Sequence, residues 1–153
     1  GVQTCALPIC DAEFRLIVVT NQAGIARGYY DPSAMHRLHY HLRNQLALQG
    51  VALDAIYFCP HHPSGSVKEL AFECDCRKPA PGMLLQATKD FDLDLPASVL
   101  IGDKLSDVMA GKRAGVGRAI VVESGHDVDP EARRQADGVA ADLLTAARLV
   151  TTS

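Results

Sequence analysis

Five residues suited to gripping a soft metal ion fall within one short stretch of this sequence. Cys59-Pro60-His61-His62 opens it and Cys74-Asp75-Cys76 closes it, with Pro63 and Gly65 punctuating the residues between. Side chains two positions apart in an extended chain face the same way, so Cys59 with His61 and Cys74 with Cys76 form two pincers. Three thiolates and one imidazole around a tetrahedral ion make a closed zinc set, structural rather than catalytic. His62 is an alternative to His61, because spacing does not separate adjacent histidines. The competing reading is a set of unrelated buried cysteines beside surface histidines. Pro and Gly punctuation argues against it, since it disfavours a core helix or strand here.

Arg77-Lys78-Pro79 follows the last thiol directly. A metal knot would fix where these cations point, and a guanidinium fork beside a compact ammonium suits a phosphate. Alone, such a pair is as often a solvated surface feature. Two further clusters sharpen the case. Thr20-Asn21-Gln22 ends the β-branched run Phe14–Val19, and Gly102-Asp103-Lys104 ends the run Ser98–Gly102.

Those polar clusters need elements to carry them. Phe14–Val19, Asp54–Cys59, Ser98–Gly102 and Arg118–Val122 read as short buried strands. Asp31-Pro32 signals a helix start and Gly50 its end; Pro81-Gly82 precedes a second helix, residues 105–115 form a third, and residues 141–150 a last. Strands alternating with helices predict an α/β, Rossmann-like fold, a mostly parallel sheet with helices on both faces. In such sheets ligands sit beyond the carboxyl ends of the strands. Thr20–Gln22, Cys59–His62 and Gly102–Lys104 all stand at such ends, so one rim is expected to gather them. His36, His39 and His41 share no helix face well and are expected at a solvated surface.

The bulk properties fit one domain. The chain has 153 residues, 48% hydrophobic and 22% charged, with a formal charge of -3. The acidic balance and 5% aromatic content speak against nucleic acid, which wants basic grooves and stacking platforms. No apolar run reaches membrane-spanning length, and a cytoplasmic monomer is expected.

Together, Val19–Gly28 (VTNQAGIARG), the Cys-x-His…Cys-x-Cys-Arg-Lys-Pro segment and Ile101–Asp107 (IGDKLSD) resemble the haloacid dehalogenase superfamily. Within it they resemble the zinc-bearing branch that removes the 7-phosphate of D-glycero-D-manno-heptose 1,7-bisphosphate. The resemblance runs from about Phe14 to the C-terminus and implies a magnesium-dependent phosphatase working through an aspartyl-phosphate. It implies that Thr20 and Asn21 hold the phosphoryl group and that Lys78 neutralises it. Gln22, Ala23, Arg77 and Lys104 would contact the phosphorylated heptose. Asp103, backed by Lys104 and supported by Asp107, would bind Mg²⁺. A histidinol-phosphatase of the same branch is the near alternative, although the Gly24–Gly28 tract (GIARG) fits the heptose enzyme better. A non-catalytic zinc-stapled module is the distant one.

The family's Asp-x-Asp motif, which carries the nucleophile on the first, central strand, has no counterpart here. Asp11 and Glu13 abut the Phe14–Val19 strand, whereas the nucleophile belongs one βα unit upstream, on the order of 30 residues. Both are rejected as catalytic. Val2–Ile9 (VQTCALPI) looks like a translated sequencing adapter, so residues 1–13 are expected to be a foreign leader or remnant and residues 14–153 the phosphatase domain. The fold is then expected to lack its first strand. The strands at Phe14–Val19 and Ser98–Gly102 would flank a gap, and the chain by itself would hydrolyse nothing.

Overall fold

The computed structural model describes residues 14–125 and 127–151; the leader segment, Asp11 and Glu13 lie outside the described residues. The first half begins with β1 (Ile17–Asn21), a short α1 (Ala23–Ala26), α2 (Pro32–Ala47) and β2 (Ala55–Cys59). The Cys/His loop, broken only by a 3₁₀ turn at Lys68–Leu70, then leads to α3 (Gly82–Phe91). The second half runs β3 (Val99–Gly102), α4 (Leu105–Ala114), β4 (Arg118–Val122), α5 (Pro130–Gln135), β5 (Gly138–Ala140) and α6 (Leu143–Thr151).

Local chemistry explains where these elements start. The Asp31 carboxylate accepts the Ala34 backbone N–H at 2.6 Å, and Pro32 occupies the first helical turn, so α2 has both a cap and a preset φ. Asp31→Ala is expected to cost about 1 kcal/mol, read as a lower urea midpoint at unchanged slope. Asp129-Pro130 repeats the device at α5, where Asp129 accepts from Glu131 N at 2.8 Å.

All the ladders are parallel, but they form two sheets. β1 pairs only with β2, and β3-β4-β5 form the second, with no ladder joining β1 to β3 among the described residues. Among the described residues the two strands named for the expected gap, β1 and β3, are therefore not paired with each other. α3 packs on β1 and β2 on one side and on α4 on the other, tying the halves together.

β4 is the most buried strand, because both of its faces are covered. Ala119 and Val121 join Val108, Val128 and Ala132 under α4 and α5. Ile120 and Val122 point the opposite way, joining Ala140 and Ala146 against α6. The period-two alternation thus serves two helix layers, and helices do lie on both faces of this sheet. The smaller sheet buries Val18 and Ile56 against Leu42, Leu46, Val51 and Leu53. α1, α5 and β5 are elements that the sequence reading lacked. His36 and His41 are exposed, as expected, and His39 is half-buried; the His36 and His39 rings nevertheless both approach Phe58 edge-on, with centroids 5.8 and 5.9 Å away. Positions three apart on α2 share a face after all.

Candidate active site and metal centre

The four expected metal ligands converge. The donor atoms of Cys59, His61, Cys74 and Cys76 all lie within 4.8 Å of one another. Cys59 Sγ is 3.4 Å from Cys74 Sγ, Cys74 Sγ is 3.2 Å from Cys76 Sγ, and His61 Nδ1 is 3.4 Å from Cys76 Sγ. Sulfur separations this long are not disulfides. Zinc–sulfur bonds of about 2.3 Å in a tetrahedron would put donors roughly 3.8 Å apart, close to what is found.

Burial raises the Cys59 and Cys76 thiol pKa values, and at Cys76 the neighbouring thiols push the same way. At Cys74 burial also opposes ionisation, but hydrogen bonds from Cys76 and Cys59 outweigh it and lower the pKa. Three thiols so close cannot all ionise without a cation between them, and a divalent metal supplies one.

His61, not His62, faces this cluster. The ring nitrogens of His62 are turned to other partners: Nδ1 lies 3.1 Å from Ser64 N and Nε2 3.0 Å from Arg27 Nη2, and a neutral imidazole accepts from one of these two donors. Burial, then Arg27 and Arg77, lowers its pKa, so the ring is held neutral.

The residues expected to meet phosphate are placed by this same loop. Lys78 follows two positions after Cys76, and its main chain is clamped by Asn21. Asn21 Nδ2 donates to Lys78 O and Lys78 N donates to Asn21 Oδ1, each at 3.0 Å. The Lys78 ammonium links β1 to α4. It donates to Val19 O at 2.8 Å and pairs with Asp107 Oδ1 at 2.6 Å.

Asp107 is only 5% exposed. Its other oxygen accepts the backbone N–H of Asp103 (3.2 Å) and of Lys104 (3.0 Å), so one carboxylate shapes the β3–α4 turn and holds Lys78. Gly102 permits this approach, since a Cβ there would collide with the Asp107 side chain.

A cavity of about 820 Å³ runs between β1 and β3, lined along its length by Ile17–Thr20 and Val99–Gly102. At the carboxyl ends of those strands its wall carries Thr20, Lys78, Asp103 and Asp107. These four thus share one mouth. Asn21, Gln22, Ala23, Arg77 and Lys104 do not line it. The Asn21 amide is occupied with Lys78, and Arg77 donates to His61 O at 3.3 Å. Lys104 has an exposed side chain, and its carbonyl accepts from the first turn of α4. Tyr30 and Arg27, which the sequence reading did not single out, stand over Gln22 and His62. The signal for them was a Tyr and an Arg close behind Thr20-Asn21-Gln22.

Comparison with known proteins agrees with this arrangement. The HAD-hydrolase-like family profile matches residues 75–146. The D-glycero-beta-D-manno-heptose-1,7-bisphosphate 7-phosphatase of Yersinia pestis is 44% identical over 139 residues, covering 91% of this chain and 74% of that protein. The D-glycero-alpha-D-manno-heptose-1,7-bisphosphate 7-phosphatase of Photorhabdus laumondii is 48% identical over 118 residues, and the chain spans 64% of its length. The crystal structure of D,D-heptose 1,7-bisphosphate phosphatase from B. bronchiseptica, complexed with magnesium and phosphate, superimposes with a TM-score of 0.81 at 30% identity. It covers 99% of this chain and 81% of its own. Fold, metal cluster and identity lead to one assignment: this chain belongs to the haloacid dehalogenase-like hydrolases, in the family of the heptose-1,7-bisphosphate 7-phosphatases.

Proposed function

We propose that this chain carries the phosphate-gripping and metal-binding part of a magnesium-dependent phosphatase that removes the 7-phosphate of D-glycero-D-manno-heptose 1,7-bisphosphate. The observation that carries the reading is the convergence of Thr20, Lys78, Asp103 and Asp107 on one cavity mouth, from three separate parts of the chain. A phosphoryl group in flight spreads its charge over its equatorial oxygens, so catalysis needs positioned cations and donors more than reactive groups. Lys78 supplies a cation held at fixed height by Asn21, Val19 and Asp107. Thr20 supplies a hydroxyl from the end of β1. Arg77, Gln22, Ala23 and Lys104 stand outside the mouth, where the sugar and its second phosphate would extend.

Asp103 is the carboxylate placed to hold Mg²⁺, an ion that needs few protein ligands and keeps its waters. When bound there, magnesium would neutralise charge on the transferring group. Cys59, His61, Cys74 and Cys76 suit zinc, by donor type and by spacing.

None of the described carboxylates lining the cavity between β1 and β3 is assigned as the nucleophile. The acids lining that cavity are Asp94, Asp103 and Asp107. Asp107 is committed to Lys78, and Asp94 caps a turn through Ala97 N ahead of β3, at the opposite end of the strand. A carboxylate nucleophile would attack phosphorus as the bond to the sugar oxygen breaks, and water would then hydrolyse the aspartyl-phosphate anhydride to free phosphate and the carboxylate.

The test is phosphate release, in magnesium, by the full-length gene product offered heptose 1,7-bisphosphate and histidinol phosphate in parallel. Preference for the heptose ester is expected. Preference for histidinol phosphate would move the chain to the sibling activity, and no release from either would leave a metal-stapled module. The 153-residue chain assayed alone is expected to turn over neither.

A further inference from the structure

Thr20 is the hydroxyl closest to the phosphate-gripping mouth, and its usefulness depends on where its single proton points. Gln22 Nε2 donates to Thr20 Oγ1 at 3.1 Å. Among the described residues Thr20 donates its own hydroxyl proton to no protein group. A hydroxyl whose acceptor side is already engaged is left with a proton to give. A carboxamide can sit either way round, however, and in the reversed orientation its oxygen would take that proton. In the orientation found here the Tyr30 hydroxyl donates to Gln22 Oε1 at 2.6 Å, and the amide nitrogen faces Thr20.

The Tyr30 ring is held for this task by the backbone of α1. Gly24 lies directly beneath it, and a Cβ at that position would overlap the ring and the phenol oxygen. The Tyr29 N–H also donates to Gly24 O at 2.8 Å, which fixes the turn that brings Tyr30 back over the helix.

We propose that Tyr30 is a positioning residue: through Gln22 it fixes the Thr20 hydroxyl as a proton donor towards the phosphoryl oxygen. The role rests on the phosphatase reading. It assigns no chemistry to Tyr30 itself. The relay acts on the transferring group, so it bears on the chemical step more than on ground-state affinity.

The experiment compares kcat and KM for the full-length gene product and its Y30F, Q22A, Q22A/Y30F and G24A forms, with heptose 1,7-bisphosphate and magnesium. Y30F keeps the ring and removes only the donor. It is expected to lower kcat about fivefold, the worth of one hydrogen bond, with KM little changed. G24A, which displaces the ring, should reproduce that loss by another route. Q22A/Y30F should be no slower than Q22A, because the phenol then has nothing to orient. Unchanged kcat in Y30F would overturn the proposal, and so would a further fivefold loss on the Q22A background. No turnover by the parent protein would fail the phosphatase reading itself and be seen before any variant is compared.

Discussion

Replacing Lys78 by methionine in the full-length gene product is expected to lower turnover by about 10²–10³-fold and to destabilise the fold at the same time. The two effects have separate causes. Turnover falls because the only cation that, among the described residues, lines the mouth beside Thr20 and Asp103 is lost. Stability falls because Asp107 keeps its charge with two backbone N–H groups as its remaining partners. The Lys78 and Asp107 side chains are 13% and 7% exposed, so solvent does little to replace the pair. Breaking a buried ion pair from one side costs about 3–5 kcal/mol, a large part of an ordinary domain's stability. Adding D107N removes the orphaned charge while leaving an oxygen for the backbone donors. K78M/D107N should therefore recover much of the unfolding midpoint and none of the turnover. Full activity with an unchanged midpoint in K78M would show that the ammonium only fills space.

The second large effect is expected from the metal cluster. Cys76→Ser should abolish binding of about one zinc per chain, lower the thermal midpoint strongly, and take turnover with it. The loop from Pro60 to Pro81 has little regular structure to hold it without the ion. Apart from the Lys78 contacts at its end, its ties are the 3₁₀ turn and a few backbone bonds, such as His62 N to Leu70 O (3.1 Å), Val67 N to Ala26 O (2.9 Å) and Gly82 N to Asp75 O (2.8 Å). Apparent binding energies of structural zinc reach about 10–16 kcal/mol in small peptides, more than those ties supply. Cys76 lies two residues before Lys78, so loosening the knot also frees the Lys78 ammonium. Elemental analysis separates the adjacent histidines: H61A should lose the metal and H62A should keep it. Equal zinc content in C76S and the parent would remove the cluster from the account.

Much of this was legible because it is local. Cys59-x-His61 and Cys74-x-Cys76 declare two pincers by spacing alone, and Asp31-Pro32 declares a helix start by cap chemistry. β4 announced itself through a β-branched run buried on both sides. The elements that escaped notice are those with weak local signals. β5 is three residues, Gly138–Ala140, and exists because it pairs with β4. α1 contains a glycine and spans one turn. α5 was readable from Asp129-Pro130, but six residues leave no helical period to recognise.

At the site, sequence placed Thr20, Lys78 and Asp103 at strand ends and loop exits. It could not show that the Asn21 side chain clamps Lys78, a bond across 57 positions. Nor could it separate His61 from His62, because that depends on Arg27 and Ser64 occupying the second ring. The Tyr30–Gln22 contact was hidden for the same reason: only the tight turn over Gly24 brings them together.

The central claim is that Thr20, Lys78 and Asp103 grip one phosphoryl group. It is tested most directly by a crystal structure of the full-length gene product with magnesium and inorganic phosphate. The account predicts phosphate oxygens within hydrogen-bonding distance of Lys78 Nζ and Thr20 Oγ1, and the metal at about 2.1 Å from an Asp103 carboxylate oxygen. Phosphate and magnesium bound away from this mouth, with Lys78 still engaged only by Val19 and Asp107, would contradict it.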